Sequence, residues 1–420
     1  MSQGIAGVLG EDGTLEDDPF AASLPMAMAN YEAFSFGAQK FVLAGLADRA
    51  AAVVPSREFQ PVLKNFQVEV RESRLRLVAT DLEIAIIASS PLVTASLPDG
   101  HTAATVVLPA RRFLAILHEA PEGEVTVRVS GDVARITAGT AAWEMKLSSD
   151  GSDYPHIPDP GDCEMHDVPR EAFLRALKAV RYAVSRAGTR PGLMQVDIRP
   201  DTAGTVQVTG SDNNRFAQAA LPGFPLPMCI PAAGQLAAAD ELIRLMAATE
   251  SADVQVGDGG GPLIFVIGTA ALLVNRLMHE FPDIEEQMLR PAMENTEPLT
   301  ADKAELRTAI RRVRVNADET TSAIGLRVRG ARMTVLARDQ VGNCAEEIVD
   351  ISWEGPDRDL VLHHQYLLDL LEAHPSPSCR FLLGKDAGKR KSMLLLADEA
   401  AGVRGILKQM SGASLLGYDG

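Results

Sequence analysis

The stretch LRLVATDLEIAIIA, from Leu75 to Ala88, decides the fold because the chain repeats its pattern twice. In each copy, an alternating apolar strand runs into a polar turn that holds an aspartate, and a second strand follows, as in a β-hairpin. The other copies are VQVTGSDNNRFAQA at 206–219 and MTVLARDQVGNCAE at 333–346. The turn aspartates lie 131 and then 127 residues apart, at Asp81, Asp212 and Asp339. This spacing is about one domain long, and it predicts three structural repeats.

A second landmark keeps nearly the same period and places helices in the repeats. Leu-Pro-Ala at 108–110 opens a predicted helix over 111–119, and Ile-Pro-Ala at 230–232 opens another that runs to about Met246. Proline suits the first turn of a helix, where its missing N–H costs nothing. Each repeat therefore reads as helix, strands, helix, strands, which predicts an α+β fold class.

The domain ends follow from a third landmark. The tetrapeptide YPHI at 154–157 returns as FPDI at 281–284, each time shortly before a polar linker that contains proline. The residues before the first repeat include six acidic side chains and no Lys or Arg, so we expect a partly disordered extension there. The predicted organisation is an acidic extension at 1–33, domains at 34–160, 163–293 and 297–411, and a tail at 412–420.

Composition bounds the function. The chain has 420 residues, is 46% apolar and carries a net charge of −16, so it is a globular protein of several domains rather than a disordered one. With no targeting or membrane-spanning pattern, we expect a soluble cytoplasmic protein with no membrane partner. The four cysteines, at 163, 229, 344 and 379, are far apart and are expected to be reduced thiols. The negative charge argues against nucleic-acid binding unless positive charge is concentrated locally.

The segment 169–190 provides such a concentration. Its apolar residues recur at helical spacing and fall within about 60° on a helical wheel: Phe173, Leu177, Val180 and Val184. Basic side chains lie away from this apolar face, at Arg175, Lys178 and Arg181. With Arg170, Arg186 and Arg190 set against the single Glu171, the segment is strongly positive.

The third repeat contains a matching helix. Its apolar residues have the same helical phase: Leu306, Ile310 and Val313. On the helical wheel, Arg311 and Arg314 occupy the positions of Lys178 and Arg181, and Lys303 matches Arg170. For one amphipathic helix, a solvated charged face is the simpler interpretation. The single sign of the charges and the repeated phase favour a surface for phosphates instead. In the first repeat Lys40 and Arg49 lie on opposite helix sides, and only Arg57, Arg111 and Arg112 are nearby substitutes.

Catalytic motifs are missing from the sequence. We find no GxGxxG, GxxxxGK, HExxH or GxSxG pattern, and the glycine-rich run at 257–262 lies between two strand-like segments as a hairpin turn would. The turn aspartates suit the capping of local backbone N–H groups. The adjacent His363 and His364 begin a helix, where neighbours point apart and make poor joint metal ligands. The sequence therefore predicts no enzyme activity, no metal site and no cofactor.

The landmarks resemble those of a known family, the bacterial DNA sliding clamp, which is the beta subunit of DNA polymerase III. The resemblance covers Phe34 to Met410 and rests on the order and spacing of five pieces: LRLVATDLEI at 75–84, LPARRFLAIL at 108–117, SDNNRFA at 211–217, FPDI at 281–284 and YLLDLL at 366–371. It implies three clamp domains in each chain, with helices facing a central bore and antiparallel sheets outside. Two chains would close head to tail into a ring.

The resemblance also implies partners and function. A homodimeric ring would encircle duplex DNA without reading its sequence and would tether DNA polymerase, clamp loader and other proteins that carry clamp-binding peptides. Such a ring needs only a few weak phosphate contacts in its bore, so its outside can stay acidic. The residues implied to face DNA are Arg57, Arg170, Arg175, Lys178, Arg181, Arg190, Lys303, Arg311 and Arg314.

The partner peptide of the family docks between the second and third domains. Carried over to this chain, the groove would comprise Leu193, Ser211, Asn213, Asn214, Arg215, Phe216, Pro282, Glu286, Ile406 and Lys408. The sequence departs from the family here, because Asn213-Asn214 replaces Gly-His, Glu285-Glu286 replaces an expected basic residue, and the usual Met-Pro-x-Arg-Leu terminus is missing. We hypothesise a divergent clamp, viral or a paralogue, with a different partner peptide.

Two alternatives remain at the level of sequence. The chain could be a clamp-like interaction scaffold that does not encircle DNA, or an unrelated enzyme with three repeats. An ordinary turn and an interdomain contact would also explain the groove residues.

Overall fold

The computed structural model describes residues 7–9, 15–17, 33–56, 60–71, 74–91, 94–147, 151–186, 190–233, 237–294, 296–384 and 393–410. Within these ranges the chain is α+β, with antiparallel sheets and seven α-helices. The expected disorder at 1–33 and the tail at 412–420 fall largely outside the described residues. The helices are α1 (Lys40–Ala51), α2 (Ala110–Glu119), α3 (Arg170–Arg181), α4 (Ala238–Ala247), α5 (Arg290–Met293), α6 (Lys303–Val313) and α7 (His364–Ala373).

The strands follow the three repeats. Before and within the first repeat they are β1 (Gly7–Leu9), β2 (Leu15–Asp17), β3 (Phe34–Gln39), β4 (Asn65–Arg71), β5 (Arg74–Thr80), β6 (Ile84–Pro91), β7 (Thr94–Ser96), β8 (Ala103–Pro109), β9 (Glu124–Ser130), β10 (Val133–Ala138) and β11 (Ala141–Lys146). In the second they are β12 (Met165–Pro169), β13 (Gln195–Pro200), β14 (Val206–Ser211), β15 (Arg215–Ala220), β16 (Met228–Pro231), β17 (Asp253–Asp258), β18 (Leu263–Ile267) and β19 (Ala270–Val274). In the third they are β20 (Thr296–Asp302), β21 (Ala323–Arg329), β22 (Arg332–Arg338), β23 (Cys344–Ser352), β24 (Arg358–His363), β25 (Ser378–Gly384), β26 (Met393–Asp398) and β27 (Val403–Lys408).

The chain divides into two compact units. The first comprises Met1–Glu171 with Asp240–Arg276, and the second Ala172–Ala239 with Leu277–Gly420. The first unit contains the β1-β2 pair, a five-stranded sheet in the order β11-β10-β9-β3-β7, and an eight-stranded sheet in the order β12-β17-β18-β19-β6-β5-β4-β8. The second unit contains a twelve-stranded sheet in the order β16-β13-β14-β15-β27-β26-β25-β20-β23-β22-β21-β24.

Both large sheets join strands of neighbouring repeats. In the first unit β6 of the first repeat pairs with β19 of the second, and in the second unit β15 of the second repeat pairs with β27 of the third. Main-chain hydrogen bonds therefore continue across the boundaries that the sequence suggests, and no strand edge is left open at those points. The register places Phe216 opposite Ile406.

The repeated hairpin turns are capped as the sequence predicts. Asp81 Oδ1 accepts backbone hydrogen bonds from Glu83 and Ile84 at 2.9 and 2.8 Å. Asp212 Oδ1 accepts the equivalent pair in the second repeat at 2.9 and 2.7 Å. In the third repeat the turn is longer, and Asp339 Oδ1 accepts from Val341 and Asn343 at 3.0 and 2.8 Å. The aspartates therefore hold the turns.

Most helices lie where the sequence predicts them, namely α1, α2, α3, α6 and α7, and one differs. Helix α3 ends at Arg181, so Val184 of the predicted apolar face lies beyond the helix, although it is buried. Helix α4 begins at Ala238 rather than next to Pro231, because Ile230 and Pro231 end strand β16 and pair with β13. The glycine-rich run connects β17 and β18 as a hairpin turn, with Gly260 at φ +71°. None of the helices in the described ranges is long and apolar enough to cross a membrane.

Candidate nucleic-acid interface and partner groove

Helix α3 separates its apolar and basic sides as predicted. Phe173, Leu177 and Val180 are fully buried, and Phe173 packs on the ring of Phe224 at 5.1 Å between centroids. On the other side Arg175 and Lys178 are exposed, and neither forms an ion pair within the described part of the chain. Arg181 is partly buried. These side chains present positive charge to solvent in a protein of net charge −16.

Helix α6 repeats this arrangement. Leu306, Ile310 and Val313 are at most 1% exposed, and Arg311 is exposed without an ion pair to any described residue. Arg314 follows the helix and donates a long hydrogen bond of 3.4 Å to Gln365 Oε1. The cations of α3 and α6 are thus held on helices whose other face is anchored in the core.

The first basic residue of each helix has a different environment. Arg170 donates to the carbonyls of Met246 and Ser251 at 3.0 and 2.6 Å, at and just beyond the end of α4. Lys303 donates to the carbonyls of His374 and Pro375 at 2.7 and 3.3 Å, directly after α7. Carbonyls at a helix C-terminus lack partners and carry partial negative charge. Arg170 and Lys303 therefore cap the second helix of their repeats, and their positive charges interact with the carbonyl groups at the end of that helix.

The sequence predicts two further DNA contacts in loops, Arg57 and Arg190. Arg57 falls outside the described residues. Arg190 is exposed, and its guanidinium donates to Asn213 Oδ1 at 2.9 Å.

The predicted groove begins at the turn between β14 and β15. Ser211 Oγ is fully buried and donates to the Arg215 carbonyl at 2.7 Å, which closes the turn. Asn213 adopts a left-handed conformation with φ +74°, which asparagine tolerates better than most residues. Asn214 is exposed, and its carbonyl accepts from the Lys408 N–H at 2.9 Å. The structure therefore brings these four predicted groove residues together with Lys408.

Arg215 is a buried cation with several partners. Its guanidinium pairs with Asp212 at 2.8 Å and Asp369 at 3.1 Å, and lies over the Tyr366 ring at 4.0 Å from the centroid. His363 stacks on Tyr366 at 4.0 Å. Burial and the positive charge of Arg215 lower the pKa of His363 below its usual range. The guanidinium is thus neutralised and enclosed, as a buried charge requires.

Sequence reasoning missed three of these residues. Tyr366 and Asp369 lie in the YLLDLL piece at 366–371, and His363 precedes it. A contact across the 154 positions between Arg215 and Asp369 leaves no local pattern in a single sequence. Only the cross-repeat pairing of β15 and β27 reveals it.

The apolar residues of the predicted groove are covered. Leu193, Phe216 and Ile406 are at most 1% exposed and lie in one cluster with Ile284, Met288 and Leu289. The covering residues belong to a helical segment, a π-turn over Glu285–Leu289 that continues into α5. The apolar residues that the resemblance assigns to peptide binding, Leu193, Phe216 and Ile406, are therefore part of a closed core in this structure.

The polar rim of this region is acidic. Pro282 is partly buried, and Glu286 is exposed with its N–H bonded to Asp283 Oδ1 at 3.1 Å and its carboxylate paired with Arg290. The described residues contain no group of three or more His, Cys, Asp or Glu side chains placed to hold a metal ion. The charged side chains and hydrogen-bonding groups of the region can bind a partner of complementary charge.

Comparisons with known proteins agree with this architecture. The family models described as DNA polymerase III beta subunit, N-terminal domain, and C-terminal domain match residues 34–158 and 290–404. A beta sliding clamp of Caulobacter vibrioides is 26% identical over 79% of this chain and 88% of its own, and one of Proteus mirabilis is 24% identical over 77% and 86%. A solved sliding clamp of C. crescentus has a TM-score of 0.81 at 23% identity, over 90% of this chain and 99% of its own. A Pseudomonas aeruginosa clamp bound to griselimycin has a TM-score of 0.79 at 21% identity, over 90% and 100%.

Proposed function

The chain belongs to the family of the DNA polymerase III beta subunit, and on this premise we propose that it is a sliding clamp, a non-catalytic processivity factor for DNA replication. One observation carries the proposal: in an acidic chain, Lys178 on α3 and Arg311 on α6 lie at matching helical positions, are exposed and form no ion pair with a described residue. A clamp that encircles duplex DNA must contact phosphates weakly so that it can slide. It works in the cytoplasm, with the replication machinery.

The DNA-facing set follows from the surroundings of each cation. On the helices, the DNA-facing set comprises Arg175, Lys178, Arg181, Arg311 and Arg314. The loop residues Arg57 and Arg190 remain in the set as predictions. We exclude Arg170 and Lys303 from the DNA-facing set because their side chains donate hydrogen bonds to backbone carbonyls.

The closed ring requires two chains, and two strands suit their junction. Strand β11 ends the five-stranded sheet and bonds only to β10 in the described residues. Residues 344–350 of β23 bond to β22 on one side, whereas β20 pairs with β23 only at Ile351 and Ser352. Ile348 on this strand is 59% exposed. We infer that β11 of one chain joins β23 of the other, since open strand edges invite pairing.

Charge reversal tests the clamp function. With Arg175, Lys178 and Arg311 each changed to Glu, we expect retention on nicked circular DNA to last about tenfold less long, because three phosphate contacts become repulsive. Retention is measured by gel filtration of the clamp loaded on the circle, and linearising the circle should release it. The matched control is Arg128→Glu, an exposed strand residue without an ion pair in the described residues. Equal retention of the reversed variant and the control would contradict the proposal.

Partner proteins dock, on this proposal, around the turn 211–215, Pro282 and Lys408. Griselimycin is the ligand of a similar solved clamp. On this proposal it binds at the apolar groove residues Leu193, Phe216 and Ile406, which we call the apolar floor. We expect it to bind this chain weakly, because Met288 and Leu289 cover the floor. Changing both to Ala should strengthen its binding in a fluorescence competition assay, while Met293→Ala, in the same segment but half exposed, should not. Tight binding by the unchanged chain would show that the floor opens readily.

A further inference from the structure

We propose that the partner segment of this clamp places a cationic side chain in a small acidic cavity beside Pro282. This rests on the proposed function, since it assigns a chemistry to the partner of the same groove. Apart from Pro282, the residues that line this cavity were not assigned to the groove by the sequence or by the family resemblance.

The cavity lies on the sheet face formed by β13, β14 and β15, where they meet the segment 281–285. Its volume is about 60 Å³, and its polar lining includes Asp197, Asp201, Gln207, Gln218, Asp283 and Glu285. This space is more than a single water needs, and a compact polar head group can occupy it.

The lining is negative. It contains four carboxylates and one guanidinium, Arg199, which is already bound to Asp197 at 2.6 Å. Burial opposes ionisation of Asp201, but hydrogen bonds from Gln207 and from the Thr205 and Ala203 N–H groups, together with the positive charge of Arg404, outweigh it and lower the pKa of that carboxyl. Asp201 is therefore charged at neutral pH. An anionic ligand is disfavoured here, and a cation is favoured.

An unpaired acceptor in the lining points to a donor ligand. Gln218 is only 2% exposed, and its Oε1 has no hydrogen-bond partner among the described residues, while its Nε2 donates to Thr209 at 3.4 Å. A buried acceptor left unpaired is destabilising, so a donor that reaches it is stabilising. Ammonium and guanidinium groups carry only donors and positive charge, which matches a lining of acceptors.

The position of the cavity connects it with the groove. Pro282 and Ile284 line it, and Ile284 belongs to the same helical segment whose Met288 and Leu289 cover the apolar floor. With the floor closed, an apolar anchor has no site, whereas the acidic cavity next to it remains. Recognition at this groove therefore depends on positive charge in the partner.

The test uses a defined cation and its neutral counterpart. N-acetyl-arginine methylamide and N-acetyl-citrulline methylamide have nearly the same shape, and only the first is charged. Each is titrated into the full chain, carbon-13 labelled at isoleucine methyl groups, and the Ile284 methyl signal reports binding at the cavity. We expect the arginine compound to bind with a dissociation constant of about millimolar, and the citrulline compound at least about tenfold more weakly.

Variants make the assignment specific. Glu285→Gln and Asp283→Asn should each weaken binding of the arginine compound about threefold or more, while Glu354→Gln, an exposed carboxylate outside the cavity, should leave it unchanged. Using both variants guards against loss of the Asp283 bond to the Glu286 N–H. Equal binding of the two compounds, or no movement of the Ile284 signal, would overturn the proposal and leave water as the occupant. Retention on circular DNA, measured on the same preparation, reports separately whether the clamp function holds.

Discussion

The turn aspartates of the first two repeats make the same backbone bonds and differ in one further partner. Asp212 also pairs through Oδ2 with the buried Arg215, whereas Asp81 accepts only backbone N–H groups among the described residues. Burial raises the pKa of Asp81, although its backbone hydrogen bonds oppose this rise. The negative charge of the carboxylate therefore contributes to stability at Asp212, where it pairs with Arg215, and not at Asp81.

Asparagine substitutions test this difference. In both variants the amide oxygen can keep the turn bonds, so Asp81→Asn should change the free energy of unfolding by no more than about 0.5 kcal/mol. Asp212→Asn removes one carboxylate from a buried guanidinium and should cost about 2–3 kcal/mol, less than full loss because Asp369 remains. Thermal unfolding measures both. Equal losses of melting temperature would show that the pair with Arg215 contributes nothing.

The titration of His364 should make the stability of the fold depend on pH. Burial, with His363 and Arg314 nearby, lowers the pKa of His364 to about 4, whereas the unfolded side chain titrates near 6.5. The unfolded state therefore binds more protons between these values, so this stabilisation is complete above about pH 6.5 and is lost as pH falls toward 4. Because His364 is partly exposed, we expect a loss of about 1 kcal/mol after solvent screening.

The variant His364→Gln isolates this contribution. It should match the unchanged chain in melting temperature at pH 7.5 and exceed it at pH 5, since glutamine does not titrate. A constant difference at both pH values would assign the effect to packing instead.

At the scale of single residues, the sequence predicts the turns but not the covering of the groove. An aspartate in a short polar turn has few ways to bond, and these are local. The burial of Phe216 and Ile406 depends on Met288 and Leu289, which come from a segment that looks like a linker. Such packing between distant segments has no signature in one sequence.

At the scale of elements, the apolar phase of α3 and α6 was predictable and the role of their first residues was not. A period of 3.6 residues places Phe173 and Leu306 in the core whatever the neighbours are. Whether a basic residue at the helix start meets solvent or another helix depends on packing within the repeat. In the structure it meets the end of the second helix, at Arg170 and again at Lys303.

This assignment separates two kinds of lysine. Lys303→Met removes a cation from the carbonyls after α7 and should lower the free energy of unfolding by about 1–2 kcal/mol, with DNA retention unchanged. Lys178→Met removes an exposed charge and should shorten retention without a change in stability. Retention on nicked circles and thermal unfolding, measured on both variants, give the comparison. Shortened retention in Lys303→Met at unchanged stability would return Lys303 to the DNA-facing set.

At the scale of the whole molecule, the net charge of −16 is compatible with DNA binding because cations and carboxylates are segregated. Exposed cations are concentrated on helices α3 and α6, whereas the described segment around Pro282 is acidic. A surface potential of one sign in one place gives local attraction without general affinity for nucleic acid. Segregation of this kind follows from the fold, so composition alone predicts the opposite behaviour.

The ring itself depends on the junction of two chains, and Ile348 tests it. This side chain is 59% exposed on the open part of β23, and an aspartate there adds charge to a strand that already carries Glu346, Glu347 and Asp350. We expect Ile348→Asp to shift the mass measured by light scattering from about twice 44.9 kDa toward 44.9 kDa, and to abolish retention on circular DNA. Met278→Asp is the matched control, since Met278 is 95% exposed in a loop, and it should stay dimeric. If Ile348→Asp remains dimeric and retained, the chains join through another strand edge.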